Sequence, residues 1–132
     1  MSLKIDQAFV QSFVDGAFGL PVDYENMPYT PVSGTAFAEL IHLPNPIDSL
    51  TLADMNETSG LFRIILRYPA DGGAIAAKTK AEQIMAHYPI GSSVAYSGQS
   101  ATIRSVDRQA GIVEDAWYTI VVSIRYISFI TR

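Results

Sequence analysis

The chain has 132 residues, of which 48% are hydrophobic and only 17% charged; the length fits a single domain spanning 1–132, and the charged share falls well below the ~25% typical of soluble domains, so part of the outer surface is expected to be covered by a partner. The net charge of −4, with nine basic residues that form no cluster, gives no footprint for sequence-specific nucleic acid, and the absence of cysteine excludes structural disulfides, thiolate metal sites and cysteine nucleophiles. Met1 to Asp6 has neither the basic nor the apolar region of a signal peptide, and no apolar run approaches the ~20 residues of a membrane helix, so the expected setting is the cytoplasm or a particle assembled there.

Ser2 is a favoured helix-capping residue, and a helix is predicted from Leu3 to about Ala17. Ile5, Phe9 and Phe13 form its apolar stripe, with Val10, Val14 and Ala17 beside them and Asp6, Gln7, Gln11 and Asp15 largely opposite. Gly16 and Gly19 bracket its end, and Pro21 forbids continuation. Val22 to Asn26 reads as a short edge strand, and Pro28 and Pro31 keep the following segment extended and out of any central ladder. Thr35 to Leu43 alternates as a strand, Asp48 to Asp54 as another, and Met55 to Gly60 has the polarity of an exposed loop. In the strand Leu61 to Pro69, Phe62, Ile64, Leu66 and Tyr68 point one way, while Arg63 and Arg67 share the other face with Leu61 and Ile65. A glycine turn then leads into a second helix from Ala74 to Tyr88, with Ala77, Ala81, Ile84 and Tyr88 on its buried stripe and Pro89 to Gly91 ending it. Ser93 to Ser97 and Ala101 to Arg108 are strands joined by Gly98 and Gln99, and Gln109 to Asp115 is a turn. The last strand, Ala116 to about Phe129, is long against a usual mode near six residues. Tyr118, Ile120, Val122, Ile124 and Tyr126 line one of its faces, with Trp117, Thr119, Ser123 and Arg125 on the other.

Adjacent strands with one intervening helix predict an α+β fold of order α-β-β-β-β-α-β-β-β. Its largely antiparallel or mixed sheet of about six to seven strands packs against two helices. The helices can cover one sheet face, leaving the arginine-bearing face to water or a neighbouring subunit.

The tempting catalytic motif is Gly72 to Thr79, which departs from a phosphate-binding loop where Ala77 replaces the glycine before Lys78. That glycine lets the backbone wrap a phosphate, whereas Ala77 falls on the buried helix stripe; a strand-to-helix turn capped by Asp71 accounts for the same residues. Two histidines make no metal centre without carboxylates. His42 reads as a solvent-facing or partly packed strand residue, and His87 as a favourable cation at a helix C-terminus. No Gly-x-Ser-x-Gly elbow occurs, and the acidic residues are scattered. The inventory therefore points to no catalytic residue, no cofactor and no metal. Trp117, on the less apolar strand face, is the candidate interface anchor.

Several segments together resemble one family. They are the N-terminal helix; Val22 to Pro31 with its Asn26-Met27-Pro28-Tyr29 segment; Gly60 to Pro69 followed by the Asp71-Gly72-Gly73 turn; Tyr88 to Gly91; and Asp115 to Tyr126. This set is similar to the phage tail-terminator-like proteins, small virion proteins also found in prophages, and it spans nearly the whole chain. Ala36 to Glu39 departs from the more aromatic, basic strand expected there. The resemblance implies a non-enzymatic structural role: a ring, six-fold in relatives, that caps the finished tail tube, halts its polymerisation and prepares the head–tail junction. The implied partners are copies of itself, in a ring on the tail that can be monomeric in isolation, together with the tail-tube protein and a head-completion or connector protein. No sequence-specific nucleic acid, membrane or cofactor is implied, and the implied location is the virion, assembled in the bacterial host cytoplasm. Asp54, Met55, Asn56, Glu57, Thr58 and Ser59 are then expected to form a loop that contacts tube or neighbour, with Arg63, Arg67, Trp117 and Arg125 as further interface candidates. A tail-tube or head–tail joining protein is the alternative within the same setting, and a small-ligand-binding or enzymatic α+β domain is the alternative outside it.

Overall fold

The computed structural model describes residues 2–16, 18–24, 35–44, 48–49, 55–70, 74–96, 98–109, 111–114 and 117–131. In chain order the elements are α1 (Ser2–Asp15), β1 (Val22–Asp23), β2 (Phe37–Pro44), β3 (Asp48–Ser49), β4 (Met55–Pro69), α2 (Ile75–His87), β5 (Ser93–Tyr96), β6 (Gln99–Arg108), β7 (Ile112–Glu114) and β8 (Trp117–Thr131). One mixed sheet holds all the described strands in the path β1-β2-β4-β8-β6-β5, with β3 alongside β4 and β7 alongside β8. Among the described pairs only β1–β2 is parallel. The fold is α+β, in the predicted order but for β7.

β4 and β8 form the spine. Their antiparallel register runs unbroken from Met55 opposite Thr131 to Pro69 opposite Trp117. Because side chains alternate across a strand, this register puts Phe62, Ile64 and Leu66 on the same face as Ile120, Val122, Ile124 and Tyr126, and all seven are buried. Both helices pack there. α1 contributes Ile5, Phe9 and Phe13 and α2 contributes Ala77, Ala81, Ile84 and Tyr88, the two stripes expected from their 3.6-residue spacing. Phe9 is the hub, stacked on Phe62 at 4.9 Å between ring centroids and tilted against Tyr126 at 5.1 Å. Gly19 and Gly91, at φ of 77° and 89°, take the left-handed backbone that lets the chain turn away after each helix.

Several boundaries differ from expectation. Met55 to Gly60 is not a loop but the first part of β4, because an unbroken ladder to β8, joined by β3 at Asn56 and Glu57, outweighs the low strand preference of Asn and Glu. The predicted turn from Gln109 to Asp115 contains β7, which pairs with Trp117, Tyr118 and Thr119. Gln99 begins β6 and does not merely join two strands. Val14 is 48% exposed, since α1 meets the sheet along a stripe too narrow to include it. Of the strand expected over 48–54, Asp48 and Ser49 are paired, and 50–54 lie outside the described residues, as do Ala17, 25–34 and Asp71. The N-cap of α2 is Ala74, which makes no side-chain capping bond.

Candidate assembly surface

On the reverse of the β2–β4–β8 sheet, the register aligns side chains in rows: Phe37, Arg67, Thr119 and Ile112; then Glu39, Ile65 and Val121; then Ile41, Arg63, Ser123 and Asp107; then Leu43, Leu61, Arg125 and Ser105. None of these belongs to the helix-side core. Arg63, Arg67, Trp117 and Arg125 therefore share one face, as alternation predicts. Ser59, opposite Ile127, falls on the same face by parity. Met55 to Thr58 lead into it as strand backbone, and Asp54 lies outside the described residues.

Near the start of β2 this face is ordered by one aromatic and one ionic contact. Trp117 meets Phe37 edge-on, with centroids 5.2 Å apart and planes at 90°, and the Arg67 guanidinium lies 5.8 Å from the centre of the Phe37 ring. Phe37 is only 3% exposed, so it is a small buried centre separate from the main core. Arg67 Nη1 donates to Glu39 Oε1 at 3.1 Å. Glu39 in turn stands beside Asp23 in the parallel β1–β2 register; partial burial, then the neighbouring Glu39 charge and hydrogen bond, raise the Asp23 carboxyl above its usual range. Toward the middle of the face the chemistry changes. Arg63 Nε is buried and has no hydrogen-bond partner among the described residues, and Arg125 is exposed. Sequence reasoning missed Phe37, Glu39 and Asp23 as members of this surface. Their alternation was visible, but the pairing of β2 with β4 that sets Phe37 beside Arg67 is a tertiary fact.

The polar groups that could suggest catalysis are bonded in ways that hold elements together. His42 Nε2 and the Tyr126 hydroxyl are 2.5 Å apart, and His42 Nδ1 faces Asp6 Oδ1 at 3.9 Å. The group joins β2, β8 and α1. The His42 side chain is buried, packed into the sheet rather than facing solvent. Burial, then the Asp6 charge, pushes the Tyr126 hydroxyl up to about 12. A cleft of about 310 Å³ between α1, the end of α2 and β5 includes Ser12, His87 and Tyr88 in its lining. There Ser12 Oγ donates to the Phe9 carbonyl at 2.8 Å, so the Tyr88 hydroxyl, 2.8 Å away, donates to Ser12 Oγ. His87 Nε2–H donates to the Ser12 carbonyl oxygen at 2.9 Å, not to its hydroxyl. The arrangement that activates a nucleophile, a base accepting the serine proton, is therefore not the one His87 makes. Burial also raises Tyr88, keeping its hydroxyl protonated. Ala77 is fully buried on α2, as the packing account of the near-miss phosphate loop requires. Among the described residues no group of three or more His, Asp or Glu side chains is placed to hold a metal, and no helix is long and apolar enough to cross a membrane.

Comparison with known proteins identifies a family and a fold. The family model described as phage tail terminator protein matches residues 4–126. A solved structure has the same fold, with a TM-score of 0.73 over 94% of this chain and 92% of that one, at 21% identity. No curated protein matches. The chain belongs to the phage tail terminator protein family, which is structural and not enzymatic, and its role is that of a structural component of a phage tail.

Proposed function

We propose that this chain caps the tail tube, stops its polymerisation and prepares the head–tail junction by forming a ring, six-fold to match the tube. The observation that carries this reading is the family match over residues 4–126. The described fold supplies a surface suited to the task, since a sheet face bearing Trp117 and three arginines is left uncovered by either helix. Tryptophan and arginine are the residues most enriched where protein contacts carry their binding energy. Termination of this kind makes no bond: the ring satisfies the exposed end of the tube and offers the next tube subunit no matching surface. The partners are copies of itself, the tail-tube protein and a head-completion or connector protein, and assembly takes place in the host cytoplasm before the ring becomes part of the virion.

The test is direct. Tail-tube protein from the same phage is allowed to polymerise with and without the purified chain, and tube lengths and ends are read by electron microscopy. Capping predicts short tubes of narrow length distribution with added density at one end. Long tubes built from the purified chain alone would instead assign it to the tube. Unchanged tube lengths and bare ends would overturn the capping role.

A further inference from the structure

We infer that the cleft between α1 and β5 receives an extended segment of the tail-tube protein, bound as an added strand on the edge of β5 with a lysine or arginine beside Asp15. The identity of the partner rests on the capping reading. β5 ends the sheet path, and among the described residues β6 is its sole strand partner. Hydrogen-bonded pairs alternate along an antiparallel ladder. The Ile103 N–H donates to the Ser92 carbonyl at 2.8 Å just before β5 begins, so the next bonded pair is Val94 with Ala101. The N–H and C=O groups of Ser93 and Ala95 therefore point away from β6, on the edge where both residues line the cleft. Sheet edges are normally blunted by charge or proline. β1, at the other end of the path, carries Asp23 and β7 carries Glu114, but Ser93-Val94-Ala95-Tyr96 has neither device.

The opposite wall of the cleft is α1. Ala8, Gln11, Ser12 and Asp15 line it at the spacing that puts them on one helix face. A strand entering here lies between a sheet edge and a helix, where main-chain bonds give affinity and side-chain contacts give specificity. Charge selects the occupant. α1 ends at Asp15 and α2 at His87, so the negative ends of two helix dipoles meet in the cleft. Asp15 Oδ1 accepts from the neutral Gln11 amide at 2.9 Å, and no lysine or arginine is among the described lining residues. His87 already donates to the Ser12 carbonyl. A cationic side chain entering beside Asp15 completes the charge. Eight of the chain's nine lysines and arginines sit in helices or in strands paired within the sheet, so they form no extended segment for a second copy to bind; the ninth, Arg132, lies outside the described residues. The last subunit of a tube, by contrast, carries segments that a further tube subunit would have covered, and strand addition satisfies them.

Overlapping short peptides covering the tail-tube protein, the head-completion protein and this chain are tested for binding to the purified full chain by fluorescence anisotropy, with hydrogen exchange locating the contact. A tube peptide bearing lysine or arginine should bind, slow exchange at the Ser93 and Ala95 amides, and bind more weakly as salt is raised. Asp15→Lys, Ala95→Pro and backbone N-methylation of the peptide should each weaken binding by about tenfold or more. Asp15 and Ala95 are exposed, and Ala95→Pro removes an N–H that the β5–β6 ladder does not use. Circular dichroism melting checks that both variants fold, and the N-methylated peptides repeat the edge test on unaltered protein. The inference is overturned if no tube peptide binds, if the tube peptides that bind lack lysine and arginine, or if folded variants bind as the wild type does. Binding confined to peptides of this chain or of the head-completion protein would give the groove to another occupant and overturn it as well. If the wild type caps tubes while no tube peptide binds, the groove contact fails and the capping reading stands. If a tube peptide binds as described while tube lengths and ends are unchanged, capping fails and the strand contact stands.

Discussion

Tyr126→Phe isolates the contact that ties α1 and β2 to the spine of the sheet. The substitution removes one oxygen and leaves the ring in place against Phe9, 5.1 Å away. His42 Nε2, 2.5 Å from that oxygen, then loses this bond where the Tyr126 residue is 2% and the His42 side chain 5% exposed. Water cannot readily replace the hydroxyl, so losing the bond at this buried site should cost about 1–3 kcal/mol. For a domain of this length, an unfolding entropy of ~2.1 cal/mol/K per residue amounts to about 0.28 kcal/mol/K, and the melting temperature should fall by roughly 4–11 °C. Chemical denaturation at neutral pH gives the free energy and calorimetry the temperature. Combining the change with His42→Leu should show a coupling of about 1 kcal/mol or more, since the two groups act as a pair. Asp6→Asn should cost about 0–1 kcal/mol, because Asp6 is 3.9 Å from the ring and 37% exposed. A Tyr126→Phe protein within about 0.3 kcal/mol of wild type would refute the reasoning, for it would mean the pair contributes no net hydrogen bond.

The same hydroxyl sets a pH dependence. Its folded value of about 12 exceeds the ordinary 10.0, so the fold retains a proton the unfolded chain gives up; stability from this source is complete below about pH 10 and is lost as pH climbs toward 12. Tyr88 and Tyr68, also raised by burial, act in the same direction, and denaturation midpoints that stay level from pH 8 to about pH 12 would contradict this. Gly111→Ala should destabilise by about 1–3 kcal/mol, because a Cβ there overlaps the Tyr118 hydroxyl and ring; in thermal melts, a Tyr118→Ala background should erase the penalty of Gly111→Ala. The single tryptophan lies on the sheet face away from the helices, against Phe37, so its fluorescence should shift to the blue when the protein assembles, and emission that is identical in monomer and assembly would remove Trp117 from the interface.

Both helices and the buried face of the spine were legible because each is written locally. Ile5, Phe9 and Phe13 repeat at helical spacing, and Phe62, Ile64 and Leu66 repeat at strand spacing, next to breakers that need no tertiary information. The shared face of Arg63, Arg67, Trp117 and Arg125 was legible for the same reason, since parity within two strands fixes it once the apolar set is assigned to the core. What failed was whatever depends on a partner strand. Asn56, Glu57, Thr58 and Ser59 have the composition of a loop and become strand only because β8 continues alongside them to Thr131. Ile112 and Val113 looked like part of a turn because three residues are too few to show a period. His42 could be placed on a strand from its neighbours, but its bond to a tyrosine 84 positions away has no local signal.

The choice of cation on each side of the molecule bears on how the surface works. All three lysines, Lys4, Lys78 and Lys80, belong to the helices, whereas Arg63, Arg67 and Arg125 stand on the sheet face away from the helices; Arg108, opposite Val122 and bonded to Glu82 of α2, is on the helix side. Lysine suits a face that stays wet, since its compact ammonium is strongly hydrated and costly to bury. Arginine is more weakly hydrated, lies flat over rings and offers a rigid fork to carboxylates. A sheet face that only met water would have no reason to exclude lysine or to alternate arginine with Leu61, Ile65, Val121 and Ile127, as antiparallel sheets with one solvated face usually alternate core residues with plainly polar ones. A face that must lose its water when a neighbour arrives needs cations that tolerate drying and apolar positions between them. Arginine enrichment with lysine depletion is the composition of protein–protein contacts. The reverse of the sheet thus mixes buried positions such as Phe37, Thr119 and Ser123 with arginines suited to a face that can lose its water.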